Sequence, residues 1–96
     1  MKEFTVDILA REQDGGVTPF RIYVGAPEPT DDQGAICLTW CSLIDKPVKV
    51  KGASERQAYR LGFDLVRRLV EYSDLVLETP DGSRFPLPSP SHEFEE

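Results

Sequence analysis

Cys37 and Cys41 are the residues in this sequence whose chemistry is easiest to name, since two thiols four positions apart suggest a metal site or a disulfide. Neither fits. In an extended segment, four residues span roughly 13 Å, well beyond the about 7 Å between Cα atoms that a disulfide tolerates. A metal would need further ligands close by, and the only histidine is His92, among the acids of the C-terminus. The pair therefore reads as two small, half-apolar strand residues. His92 stands beside Glu93 with no nucleophile in view, so no nucleophile–base arrangement emerges. Asp7, Asp45 and Asp64 could serve acid–base chemistry only if folding gathered them, and no spacing singles them out. Gly15-Gly16 belongs to a turn rather than to a phosphate loop. No catalytic, cofactor-binding or metal-ligating residue is assigned, and the chain is expected not to be an enzyme.

Charge offers a second kind of chemistry. Between 46 and 68 seven basic residues face only Glu55 and Asp64, although the whole chain carries −6. Lys49, Lys51, Arg56 and Arg60 form a candidate basic patch that would neutralise phosphates if the four shared a surface. The overall acidity, and the lack of aromatic stacking residues along that stretch, argue against nucleic acid as the main partner.

The elements that must position these residues follow from periodicity. Ninety-six residues suit one domain, expected over 1–88 with a tail over 89–96. Hydrophobic residues make up 40% and charged residues 29%, which is ordinary for a globular protein and argues against disorder. No apolar run approaches the roughly 20 residues of a membrane span. The N-terminus alternates polar and apolar residues, unlike a signal peptide, so a cytoplasmic protein is expected. Phe4, Val6, Ile8 and Ala10 alternate with polar neighbours and predict a strand over 3–11. Phe20, Ile22 and Val24 predict another over 18–25, joined to the first as a hairpin through Gln13–Gly16. Residues 25–34, with two prolines and several acids, read as a loop. Residues 35–43 are apolar on both alternating sets, Ile36, Leu38 and Trp40 against Cys37, Thr39 and Cys41, which predicts either an interior strand covered on both sides or one crossing the centre of the sheet. Val48 and Val50 alternate with Lys49 and Lys51 in a short strand suited to a sheet edge.

Residues 54–72 predict the helix. Ser54 with Gln57 fits a capping box, and Glu55 complements the positive helix start. Ala58, Leu61, Gly62, Leu65, Leu69 and Tyr72 fall on one side at 100° per residue. A second row, Tyr59, Phe63, Val66 and Val70, adjoins it, so the apolar arc spans about 200° where about 100° is usual. Gly62 lies near the middle of the arc. It costs roughly 1 kcal/mol against alanine, which implies close approach to a neighbouring backbone. The surplus row calls for either a wrapping sheet or a second subunit. Tyr59, Phe63, Val66 and Val70, with Trp40 and Tyr23 as aromatic anchors, are therefore the candidate interaction surface. Leu75–Leu77 resume an extended run, Thr79–Gly82 make a turn, and Phe85 with Leu87 predict a last short strand.

The segment Gly52-Ala53-Ser54-Glu55-Arg56-Gln57-Ala58 with Leu61 and Leu65, after the loop Val24–Pro29, resembles a family of small bacterial proteins, a domain of unknown function. That resemblance implies a bacterial origin and a β-rich half followed by a helix. It brings no catalytic residues. The sequence thus predicts an α+β fold: an antiparallel sheet of about four to six strands, in the order β-β-β-β-α-β with a further strand optional, and one amphipathic helix packed on one face. The leading functional expectation is a non-catalytic protein–protein interaction module, either a homodimer or an immunity- or inhibitor-like binder. A nucleic-acid-binding accessory domain using the basic stretch 46–68 is the alternative, and a small enzyme with a cryptic site ranks below both.

Overall fold

The computed structural model of the chain describes residues 2–87. Six strands and one helix follow in chain order: β1 (Phe4–Arg11), β2 (Val17–Val24), β3 (Glu28–Pro29), β4 (Ala35–Cys41), β5 (Val48–Gly52), α1 (Glu55–Tyr72) and β6 (Val76–Glu78). The fold is α+β, an antiparallel sheet with the helix against one face. The C-terminal tail expected over 89–96 lies outside the described residues. Among the described residues no helix is long and apolar enough to cross a membrane.

Strand register fixes the sheet. β1 and β2 pair from Phe4↔Val24 to Arg11↔Val17. Thr39 of β4 faces Val24 on one side and Val48 on the other, while Ala35 faces Pro29 and Gly52. A strand has only two hydrogen-bonding edges, so β2 and β3 must share one edge of β4 and β5 must take the other. Across the sheet the order is therefore β5, β4, β2 continued by β3, β1, β6. The 25–34 segment is consequently not all loop. Glu28 and Pro29 pair with β4, after Gly25 has donated its amide to the Leu38 carbonyl at 2.7 Å. The last strand expected at Phe85 and Leu87 reduces to a single bridge between Glu78 and Arg84.

The helix starts where its cap predicts. Ser54 is extended, and its hydroxyl accepts from the Gln57 amide at 3.1 Å. Gln57 reaches back one residue further than a standard capping box and accepts from the Ala53 amide. At the other end Asp74 takes a left-handed φ of 56°. Leu75 and Asp74 then donate to the carbonyls of Val70 and Glu71, a Schellman closure with aspartate where glycine is commonest.

The face that α1 buries differs from the expectation. Its core residues are Ala58, Tyr59, Gly62, Phe63, Val66 and Val70. Leu61, Leu65 and Leu69 are only half-buried, and Tyr72 is 92% exposed. The row Tyr59, Phe63, Val66 and Val70, expected to be the surplus, is thus the one the sheet covers. The physical reason lies in the two small residues. A Cβ on Gly62 would meet Thr39 Oγ1 at 2.6 Å, and one on Gly52 would meet the Ala58 backbone nitrogen at 2.5 Å. Those approaches roll the helix until the Gly62–Ala58 side touches β4 and β5. Phe63 then packs edge-on to Phe4 and Tyr59, with ring centroids 5.1 and 5.2 Å apart. The Tyr59 hydroxyl donates to the Lys2 carbonyl at 2.7 Å.

Candidate interaction surface

Alternation sends every second residue of each strand away from the helix. On β4 the inward set, Cys37, Thr39 and Cys41, is fully buried. The outward set is Ile36, Leu38 and Trp40, of which Leu38 is 43% exposed and the other two are half-buried. Of the two expectations for this segment, a strand crossing the centre of the sheet is what β4 is, paired on both edges, whereas cover on both faces is not found. One helix covers one face of a sheet, and α1 lies over β4 and β5 on the inner face.

Register then brings the aromatic anchors together. Tyr23 on β2 stands directly opposite Trp40, the chain's sole tryptophan. Such cross-strand neighbours have Cβ atoms about 5 Å apart on a shared face. Partial burial, and next the Glu3 carboxylate, push the Tyr23 phenol above its ordinary pKa, so it stays a neutral donor. Beside Trp40 lies a shallow hollow of about 270 Å³ whose rim includes Asp7, Pro19, Arg21 and Ser42. Polar pairs flank this apolar centre. Arg21 Nε donates to Asp7 Oδ1 at 2.6 Å. Arg11 grips Glu78 through Nε and Nη2 at 2.9 and 3.1 Å, which holds the Glu78 carboxyl below its ordinary pKa. The Arg21–Asp7 pair is exposed on both sides and adds little to stability, but together the two pairs neutralise four charges on this face.

Of the six residues expected to make an interaction surface, the structure thus places two, Tyr23 and Trp40, on the open face. Tyr59, Phe63, Val66 and Val70 belong to the core and are unavailable to a partner. The surface residues that the sequence reading missed are Ile36 and Leu38. A signal for them existed. The outward positions of β1 and β2 include Thr5, Asp7, Arg11 and Arg21, which mark a face turned to solvent.

The candidate basic patch is divided. Lys49 and Lys51 pair with Leu38 and Ile36 and share the outer face. Arg56 and Arg60 ride on the helix, on the other side of the sheet. Lys51 is also engaged by Asp32 at 2.6 Å. The four do not form one surface. Both thiols face inward, and burial pushes each above its ordinary pKa. Cys37 Sγ donates to the Gly25 carbonyl at 3.1 Å. Among the described residues no group of three or more His, Cys, Asp or Glu is gathered as a metal site would need.

Compared with known proteins, the chain has no significant match to a family model, a curated protein or a solved structure. The functional reading therefore rests on geometry.

Proposed function

We propose that this chain is a non-catalytic interaction module that engages a protein partner, a second copy of itself or another chain, through the outer face of its sheet around Tyr23, Leu38 and Trp40. The observation that carries this reading is the apolar central strand with no second layer over it among the described residues. An apolar patch of this kind, rimmed by polar residues, is the usual mark of a protein-binding surface. Aromatic anchors at its centre and paired charges at its margin match the anatomy of such interfaces, where a few central side chains supply most of the binding energy.

Leu38→Asp tests the proposal, because it places a charge at the centre of the face while leaving the core intact. Sedimentation velocity over a wide concentration range detects self-association. Immobilised wild-type and variant chains, exposed to extract of the source cell, detect a foreign partner. Trp40 fluorescence reports either event from within the face. The expected result is an association that the wild type makes and the variant loses, with equal thermal stability. A wild type that stays monomeric, retains no protein beyond what the variant retains, and shows no Trp40 response would overturn the reading.

A further inference from the structure

The helix leaves the far end of the inner face less covered, and a groove of about 530 Å³ opens there between α1, β6 and the segment after the Thr79–Gly82 turn. That volume lies within the roughly 300–1,000 Å³ of small-ligand sites. We propose that this groove binds a small monoanion with an apolar body, a medium-chain carboxylate being the simplest example.

Its walls are built and held. Val70 and Leu77 are almost fully buried and form the apolar base. Phe85 and Leu87 pack against the core from the C-terminal side. The Phe85 amide donates to the Leu77 carbonyl at 2.8 Å, and the Glu78–Arg84 bridge fixes the same turn. The apolar portion of a ligand would meet a preformed surface and so lose little to reorganisation.

Charge supplies the rest of the argument. Arg67 from the helix and Arg84 from the C-terminal segment both line the groove, against the single acid Glu71. Arg67 already has interactions of its own, so Arg84 is the anchor. The carboxylate closest to Arg84 along the backbone pairing is Glu78, and Arg11 has claimed both of its oxygens. Among the described residues no other carboxylate pairs with Arg84, whereas Arg11 and Arg21 each hold one. A guanidinium fork matches a carboxylate in two parallel hydrogen bonds. The lining has a surplus of one positive charge, and Glu71 would repel a second negative charge on the ligand, so a monoanion fits better than a phosphate dianion. The helix C-terminus borders the groove, but amides of Ser73, Asp74 and Leu75 occupy its last carbonyls and blunt its negative end.

The test is a titration of amide resonances in the full chain with octanoate and, separately, with octan-1-ol. Octanoate should give saturable shifts concentrated at Val70, Leu77 and Phe85, and octan-1-ol should bind at least about tenfold more weakly. Arg84→Gln, at an exposed position where folding is undisturbed, should weaken octanoate about tenfold and leave octan-1-ol unchanged, as loss of a charge-assisted hydrogen bond requires. Octanoate shifts that do not saturate or that lie outside the groove, equal binding of the alcohol, or indifference to Arg84→Gln would each overturn the proposal. The site is independent of the outer-face reading, so Leu38→Asp should bind octanoate as the wild type does.

Discussion

The two faces of β4 are made by consecutive residues of one strand, yet they meet opposite fates. Cys37, Thr39 and Cys41 vanish under α1, while Leu38 is exposed and Ile36 and Trp40, also larger and more apolar, remain partly exposed. Hydrophobicity alone would have ranked them the other way. Layer count decides instead: the described residues form one helix, and it lies on the inner face. The difference teaches that the inner face is explained by folding, whereas the outer face carries apolar bulk that no described element covers. Truncation should expose that asymmetry. Phe63→Ala, at the centre of the inner layer, should cost about 3–5 kcal/mol in urea unfolding. Trp40→Ala on the outer face should cost no more than about 1 kcal/mol at unchanged m-value, since solvent already reaches the site. Equal costs would break the comparison and make Trp40 a core residue.

A subtler contrast concerns Gly62. On an exposed helix face, glycine to alanine gains up to about 1 kcal/mol. Here the new methyl would press on Thr39 Oγ1 and Val24 Cγ1. Overpacking of this kind costs about 1–3 kcal/mol, so Gly62→Ala should destabilise on balance. Thr39→Ala should relieve part of that loss in a double-mutant cycle, because the two positions share one contact. Stabilisation by the single change would show the inner layer to be looser than the distances imply.

The thiols sharpen the same comparison kinetically. Cys37 and Cys41 are fully buried, and their raised pKa values leave less thiolate to react. Labelling of the native chain should be limited by the opening of the fold, and so should slow as stability rises. A cysteine placed outside, as Leu38→Cys, should label at the rate of a free thiol. Rapid labelling of Cys37 would mean that the helix lifts from β4 without global unfolding.

The helix, the hairpin and the order of elements were legible because each rests on local chemistry: the Ser54 cap, the alternation from Phe4 to Ala10, the turn at Gly15. The side of the helix that faces the sheet was not. An apolar arc of about 200° contains two competing rows, and periodicity weighs them alike. What separates them is steric. Small residues mark the line of closest approach, and reading Gly52, Ala58 and Gly62 together would have chosen Phe63 and Val66 over Leu61 and Leu65. β3 was hidden because Glu28 and Pro29 have poor strand propensity and are held only by their neighbour β4. The basic patch was a product of linear proximity, for the chain passes from sheet to helix between Lys51 and Arg56 and carries like charges to opposite layers. Of the candidate surface, Tyr23 and Trp40 were legible as aromatics, but their juxtaposition required the β2–β4 register, which no local signal encodes.

The smallest expected effect concerns the charge left on the outer face. Lys51, the Thr30 hydroxyl and the Gly34 amide together hold the Asp32 carboxyl far below the usual carboxylate range. A depressed folded-state pKa contributes stability that is complete above the unfolded value, near ~3.9, and is lost as pH falls from there through the folded value. The pair is exposed, so the change in overall stability should be slight. A carboxyl-carbon titration reads it directly. Lys51→Met should raise the Asp32 pKa towards the ordinary value without reaching it, because Thr30 and Gly34 remain. If the substitution leaves Asp32 unmoved, Lys51 does not engage it in solution. The β5 edge would then present two uncompensated lysines beside Leu38 and Ile36, and that would favour an acidic partner over a second copy of this chain, whose own lysines would meet them.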